Sequence, residues 1–145
     1  MGRSVRLGGH PIHPLLVHFP VALWSMTPLW DTLGLVQAQE LWWQFGYWSL
    51  AVGLALSLPA MAVGFIDFAN IGDNPAAGRA AMRHMMAMSS AACVALIDLL
   101  LRHGQSIPSS PLLLLGLSLS CMGLVFIGGW FGGELVYRHG IGRAE

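Results

Sequence analysis

The chain alternates between long apolar stretches and short polar breaks. A helix that crosses a bilayer needs about 20 apolar residues, and each of the long stretches reaches that length. The first break is the polar segment Gln37–Glu40, and the other two are rich in Gly, Pro, Ser, Asn and Asp, which are the residues that end helices. The pattern therefore predicts four transmembrane helices, over residues 14–36, 42–66, 80–101 and 112–133.

The connections between these stretches are short, which favours an all-α, up-down four-helix bundle built as a single domain over residues 1–145. Composition agrees with a membrane protein. Hydrophobic residues make up 55% of the chain, charged residues 10%, and the mean hydropathy is +0.63, whereas soluble domains carry roughly a quarter charged residues. A chain without formal net charge and without a basic patch outside the membrane margin is not expected to bind nucleic acid.

Arginine sets the predicted orientation, because the chain contains no lysine. With four spans, both termini and the middle loop lie on one side, and Arg102 with the acids Asp31 and Asp98 lies towards the other. Arginine excess marks the cytoplasmic side, so both termini are predicted to lie in the cytoplasm of a bacterial inner membrane. The arginines on that side are Arg3, Arg6, Arg79, Arg83, Arg138 and Arg143.

Each predicted helix carries one proton-active or metal-capable side chain near this cytoplasmic end, namely His18, Asp67, His84 and Glu134. A charged group at the centre of a bilayer costs about 2.5 to 3.5 kcal/mol, so such residues mark functional sites. Each of them continues a stripe of small or polar residues along its helix, and we therefore expect all of them to face the bundle interior.

The two histidines suggest one chemistry. Helices one and three are parallel and diagonal in an up-down bundle, so His18 and His84 are predicted to face each other at matched depth. This geometry is suited to bis-histidine ligation of haem b and to electron transfer, with Arg79 and Arg83 meeting the haem propionates.

A second chemistry uses the carboxylates as well. His18, His84, Asp67 and Glu134 together are a donor set for an iron, manganese or zinc ion, or for a proton-coupled site that is enzymatic or transport-linked. His13 precedes the predicted helix as a cap and is a possible extra ligand. A third hypothesis is a structural subunit without cofactor, in which Arg83 pairs with Asp67 across the loop and Arg138 pairs with Glu134 four residues away.

Motifs spread over nearly the whole chain resemble a known family. The segments Gly9–Pro20, Gly64–Phe68, Arg83–His84 and Gly129–Gly142 resemble the predicted bacterial membrane proteins of the domain of unknown function 2231 family (DUF2231). The resemblance implies a four-helix inner-membrane protein without a settled role. Relatives joined to Rieske-type iron–sulfur domains imply electron transfer. In the haem hypothesis the electrons pass between a quinol or another membrane donor and a redox partner protein. This chain departs from the family at Phe68 and in the methionines that follow His84.

Two further features concern catalysis and self-association. No nucleotide-binding loop, nucleophile triad or zinc-protease motif is present, so the sequence does not decide whether the protein is an enzyme. The spacing of Gly129 and Gly133 in the last helix indicates a possible homodimer contact, because small residues four apart let membrane helices approach closely.

Overall fold

The computed structural model describes residues 4–142, and four long helices dominate this part of the chain. Each covers its predicted range and extends beyond it. Arg3 and Arg143, which contributed to the predicted orientation, lie outside the described residues. The helices are α1 (Ile12–Gln37), α2 (Glu40–Ala69), α3 (Pro75–Arg102) and α4 (Pro111–Tyr137).

The start of α3 shows how local sequence sets these boundaries. The Asn74 side chain accepts hydrogen bonds from the backbone N–H groups of Ala76 and Ala77, both at 3.1 Å. Pro75 follows as the first helical residue, where its missing N–H leaves no donor unsatisfied. The helix therefore begins five residues before the predicted position.

A short β-hairpin precedes α1, which the purely helical prediction did not include. Its strands are β1 (Arg6–Leu7) and β2 (His10–Pro11), and they pair antiparallel. Gly8 and Gly9 form the turn with φ values of +57° and +84°, a conformation that side chains other than glycine rarely adopt. Pro11 then caps α1, so the helix starts at Ile12 and not at Pro14.

The helices pack as two hairpins. The most extensive contacts join α1 to α2 and α3 to α4, and α1–α4 and α2–α3 contacts close the bundle. Helices α1 and α3 are therefore diagonal neighbours, as the up-down prediction requires. The centre is filled by Trp24, Leu50, Ala91, Ala95, Cys121 and Val125. Trp24 is enclosed by the other helices, and its side chain is only 1% exposed.

The two hairpins bury residues at corresponding positions, separated by a constant number of residues along the chain. Buried positions of α1 recur in α3 after 71 residues, and those of α4 follow buried positions of α2 by 68 residues. The first set pairs Pro20 with Ala91, Trp24 with Ala95, Thr27 with Asp98 and Asp31 with Arg102. The second set pairs Gly46 with Leu114, Leu50 with Ser118, Gly53 with Cys121, Ser57 with Val125 and Ala60 with Gly128. The hairpins are thus related by an approximate two-fold axis along the bundle.

Three of the helices in the described chain, α2, α3 and α4, are long and apolar enough to cross a membrane. Helix α1 has 26 residues but falls short in hydropathy, because its sequence includes His18, Asp31 and internal prolines. The architecture is that of a polytopic helical membrane protein.

Candidate two-histidine site

His13 and His84 lie next to each other at the end of the bundle where α1 begins. Their ring centroids are 6.2 Å apart and the ring planes are inclined by 83°. The two residues occupy equivalent positions in the two hairpins, one on α1 and one on α3. The imidazoles therefore face each other across the two-fold axis.

Each imidazole is held by the second helix of its own hairpin. His13 Nδ1 lies 2.9 Å from the carbonyl oxygen of Ala60 on α2, and His84 Nδ1 lies 2.8 Å from the carbonyl oxygen of Gly128 on α4. A carbonyl oxygen only accepts, so the proton resides on Nδ1 in both rings and Nε2 keeps its lone pair. Neither Nε2 has a hydrogen-bond partner within residues 4–142.

Two glycines make room for these rings. Gly64 and Gly132 follow the accepting carbonyls by one helical turn. A Cβ atom at Gly64 would lie 2.7 Å from His13 Cε1, and one at Gly132 would lie 3.2 Å from His84 Nδ1. Since real Cβ atoms rarely approach other atoms that closely, each glycine permits its helix to pack directly against an imidazole.

The prediction that His18 points inward to face His84 is wrong. The His18 side chain is exposed, and its Nδ1 lies 3.3 Å from the carbonyl oxygen of Leu15 in its own helix. His13 lies inside α1 and not at its cap, two turns before the buried Pro20 and on the same face of the helix. At 3.6 residues per turn, five residues rotate His18 by about 140° away from His13. His13 therefore occupies the place that the sequence analysis gave to His18.

The two carboxylates do not join the histidines. Asp67 Oδ1 accepts a hydrogen bond of 2.6 Å from the backbone N–H of Val5, which fastens the N-terminal segment to α2. Glu134 pairs with Arg138 at 3.3 Å, as predicted from their spacing, and His139 lies 3.8 Å away. Within the described chain, no three side chains of His, Cys, Asp or Glu come together as metal ligands. The predicted set of His18, Asp67, His84 and Glu134 is not assembled.

A basic cavity of about 160 Å³ opens at the same end of the bundle. Arg79 and Arg83 are exposed there, and among residues 4–142 no carboxylate pairs with either of them. The Arg83 guanidinium lies over the Phe131 ring, 5.6 Å from its centroid. The lining residues are Ala76, Arg79, Ala80, Arg83, Glu134, Arg138 and His139. Apart from Glu134, the polar groups of this cavity suit an anion.

The other end of the bundle contains a buried charge network that the sequence analysis did not identify as a site. The Arg102 guanidinium donates to Asp31 at 2.5 and 2.7 Å and to Asp98 at 2.8 and 3.0 Å. The Ser118 hydroxyl donates to Asp31 at 2.7 Å. The Arg102 side chain is 2% exposed and both carboxylates are 0% exposed. The spacing of Asp98 and Arg102 by four residues was the available signal.

Comparison with known proteins agrees with this membrane architecture. The family described as predicted membrane protein (DUF2231) matches residues 9–145. The chain belongs to the DUF2231 family. The match includes both histidines and the buried charge network, and it confirms the resemblance seen in the sequence. No curated protein and no solved structure matches this DUF2231 chain.

Proposed function

We propose that this DUF2231 protein binds haem b between α1 and α3, with His13 and His84 as the axial ligands, and transfers electrons in the bacterial inner membrane. One observation carries the proposal. Two imidazoles meet inside the bundle, each anchored through Nδ1 and each with a free Nε2. Metal-binding histidines commonly show this arrangement, because the hydrogen bond on one nitrogen fixes the ring and its tautomer.

The number of ligands favours haem over a non-haem ion. A structural or catalytic metal ion generally takes three or four protein ligands, whereas a porphyrin supplies four nitrogens and needs at most two axial ligands. A metal between the two rings would be held through Nε2 of each, because each Nδ1 already donates to a carbonyl oxygen. The separation of the His13 and His84 centroids is 6.2 Å.

The symmetry of the bundle supports the same ligand. The two-fold axis passes between the histidines, so the two hairpins offer equivalent groups from opposite sides. A metalloporphyrin core presents two equivalent faces and suits such a site. When bound, haem would supply an iron that exchanges one electron between its ferric and ferrous states.

Arg79 and Arg83 are the proposed partners of the haem propionates. Both belong to the basic cavity at the histidine end, and neither guanidinium is paired with a carboxylate in the described part of the chain. Hydrogen bonds between arginine and carboxylate are stronger than those between neutral groups, so two free arginines are suited to fix a doubly anionic edge.

The proposed topology includes α1 as a fourth span. Helix α1 occupies the position equivalent to α3 in the bundle, so it is expected to cross the membrane beside the other three. The described arginines other than Arg102 lie at the histidine end, and this excess supports the proposal that this end and both termini face the cytoplasm. A quinol or a redox protein is the proposed electron partner.

The test is the optical spectrum of the purified protein, expressed with a supply of haem. The expected spectrum is that of six-coordinate, low-spin haem, and both His13→Ala and His84→Ala abolish it. His18→Ala is the matched control and leaves the spectrum unchanged. Full porphyrin occupancy in the double His13→Ala, His84→Ala variant would refute the ligand assignment. Stoichiometric iron, manganese or zinc without porphyrin would instead point to a non-haem ion.

A further inference from the structure

The buried network of Arg102, Asp31, Asp98 and Ser118 contains more negative than positive groups. Arg102 donates through Nε and both terminal nitrogens, and it forms two hydrogen bonds with each carboxylate. Arginine is always charged in proteins, so it compensates one carboxylate and not two. With both aspartates ionised, the network would carry one uncompensated negative charge.

The surrounding helices provide no second cation. From α2, Gly46 faces the network, because a Cβ there would lie 2.7 Å from Arg102 Nη1. From α4, Ser118 donates to Asp31, and the Cys121 thiol donates to the carbonyl oxygen of Ala91 at 3.5 Å. His103 follows Arg102 in the chain but is exposed, and its Nδ1 lies 3.3 Å from the Tyr47 hydroxyl.

The other described arginines lie at the histidine end of the bundle, which is the opposite end. An uncompensated charge in an apolar interior costs several kcal/mol after relaxation, so the group neutralises instead. A metal ion is a poor candidate for this task, because in the described chain no third side chain of His, Cys, Asp or Glu joins the two aspartates as a ligand. A proton needs only one free lone pair, and Asp98 keeps two of its four.

We propose that this network is a proton-binding site that holds one proton on its two aspartates, most stably on Asp98. Asp31 accepts three hydrogen bonds and Asp98 accepts two, so the ionised form is better stabilised at Asp31. Binding converts one carboxylate to a carboxylic acid and involves no electron transfer. Arg102 is the last residue of α3, so the proton has a short path to the aqueous phase at that end.

Charge counting makes the proposal testable by infrared spectroscopy. The number of bound protons equals the number of buried carboxylates minus the number of guanidiniums. The full-length protein at neutral pH should show the C=O stretching band of one protonated carboxyl group, and the band should shift in D₂O. Asp98→Asn and Asp31→Asn should each abolish the band, because one carboxylate then balances Arg102. Arg102→Met should increase its intensity about twofold.

Asp73→Asn is the control, because Asp73 is exposed in the loop between α2 and α3 and its replacement should leave the band unchanged. Absence of the band from the folded protein, or its survival in both aspartate variants, would overturn the proposal. If the band disappears when sodium chloride replaces choline chloride, a metal ion and not a proton compensates the charge, and this result would also overturn the proposal. His13→Ala and His84→Ala should leave the band intact, so the outcome is independent of haem binding.

Discussion

Replacing Gly64 with alanine tests the contact between α2 and the His13 ring. The added Cβ would lie 2.7 Å from Cε1 and 3.0 Å from Nδ1 of the imidazole, and this ring is held by its hydrogen bond to Ala60. Overpacking of this kind costs about 1 to 3 kcal/mol. Alanine recovers up to about 1 kcal/mol of helix propensity over glycine. We expect a net loss of stability and weaker retention of any ligand at the histidines.

Chemical unfolding in detergent micelles measures the effect, and two other glycines calibrate it. Gly132→Ala should cost less, because its Cβ would lie 3.2 Å from the His84 ring. Gly123→Ala should be neutral or slightly stabilising, since no atom lies within 4 Å of the position of its Cβ. If the contact with His13 is responsible, Gly64→Ala adds no cost in a His13→Ala background. An equal cost in both backgrounds would refute this explanation.

Three further predictions use the same unfolding measurement. Asp31→Arg and Arg102→Asp should each lower the free energy of unfolding by about 3 to 5 kcal/mol, and combining the two substitutions should recover part of that loss. A double variant no more stable than either single variant would contradict a direct ion pair. Trp24→Phe should stay within about 1 kcal/mol of the original stability, because the buried indole N–H has no hydrogen-bond partner among residues 4–142. Asn74→Ala should lower the free energy of unfolding by about 1 kcal/mol, because α3 loses its N-terminal cap. An unchanged unfolding midpoint would show that the cap does not stabilise the protein.

Much of the fold could be predicted from the apolar stretches, because length and hydropathy alone define membrane helices. The start of α1 and the choice of its buried face were less predictable. The sequence analysis started α1 at Pro14, but the Gly8–Gly9 turn and its β-hairpin place the start at Ile12, so His13 belongs to the helix. The buried face of α1 continues through Trp24, whereas His18 lies on the exposed face.

Other features depend on contacts that the sequence does not encode locally. Asp31 and Asp98 lie near helix ends, so they were assigned to the membrane surface, and only the packing of three helices shows them around Arg102. The two-fold relation was invisible for a different reason. Apart from His13 with His84 and Gly64 with Gly132, its equivalent positions mostly share burial and not residue type, as Trp24 and Ala95 show.

Asp31 of the α1–α2 hairpin and Arg102 of the α3–α4 hairpin occupy equivalent positions, and their opposite charges determine how the two hairpins pair. If two copies of the α1–α2 hairpin paired with each other, they would bring two aspartates together at the axis. Two copies of the α3–α4 hairpin would bring together two arginines, each paired only with Asp98 of its own helix. Like charges without water repel strongly, so the first self-pairing is disfavoured, and the second lacks the hydrogen bonds that Arg102 donates to Asp31. The mixed pairing is therefore selected. The chain therefore behaves as a tethered heterodimer, in which each half requires the other as its partner.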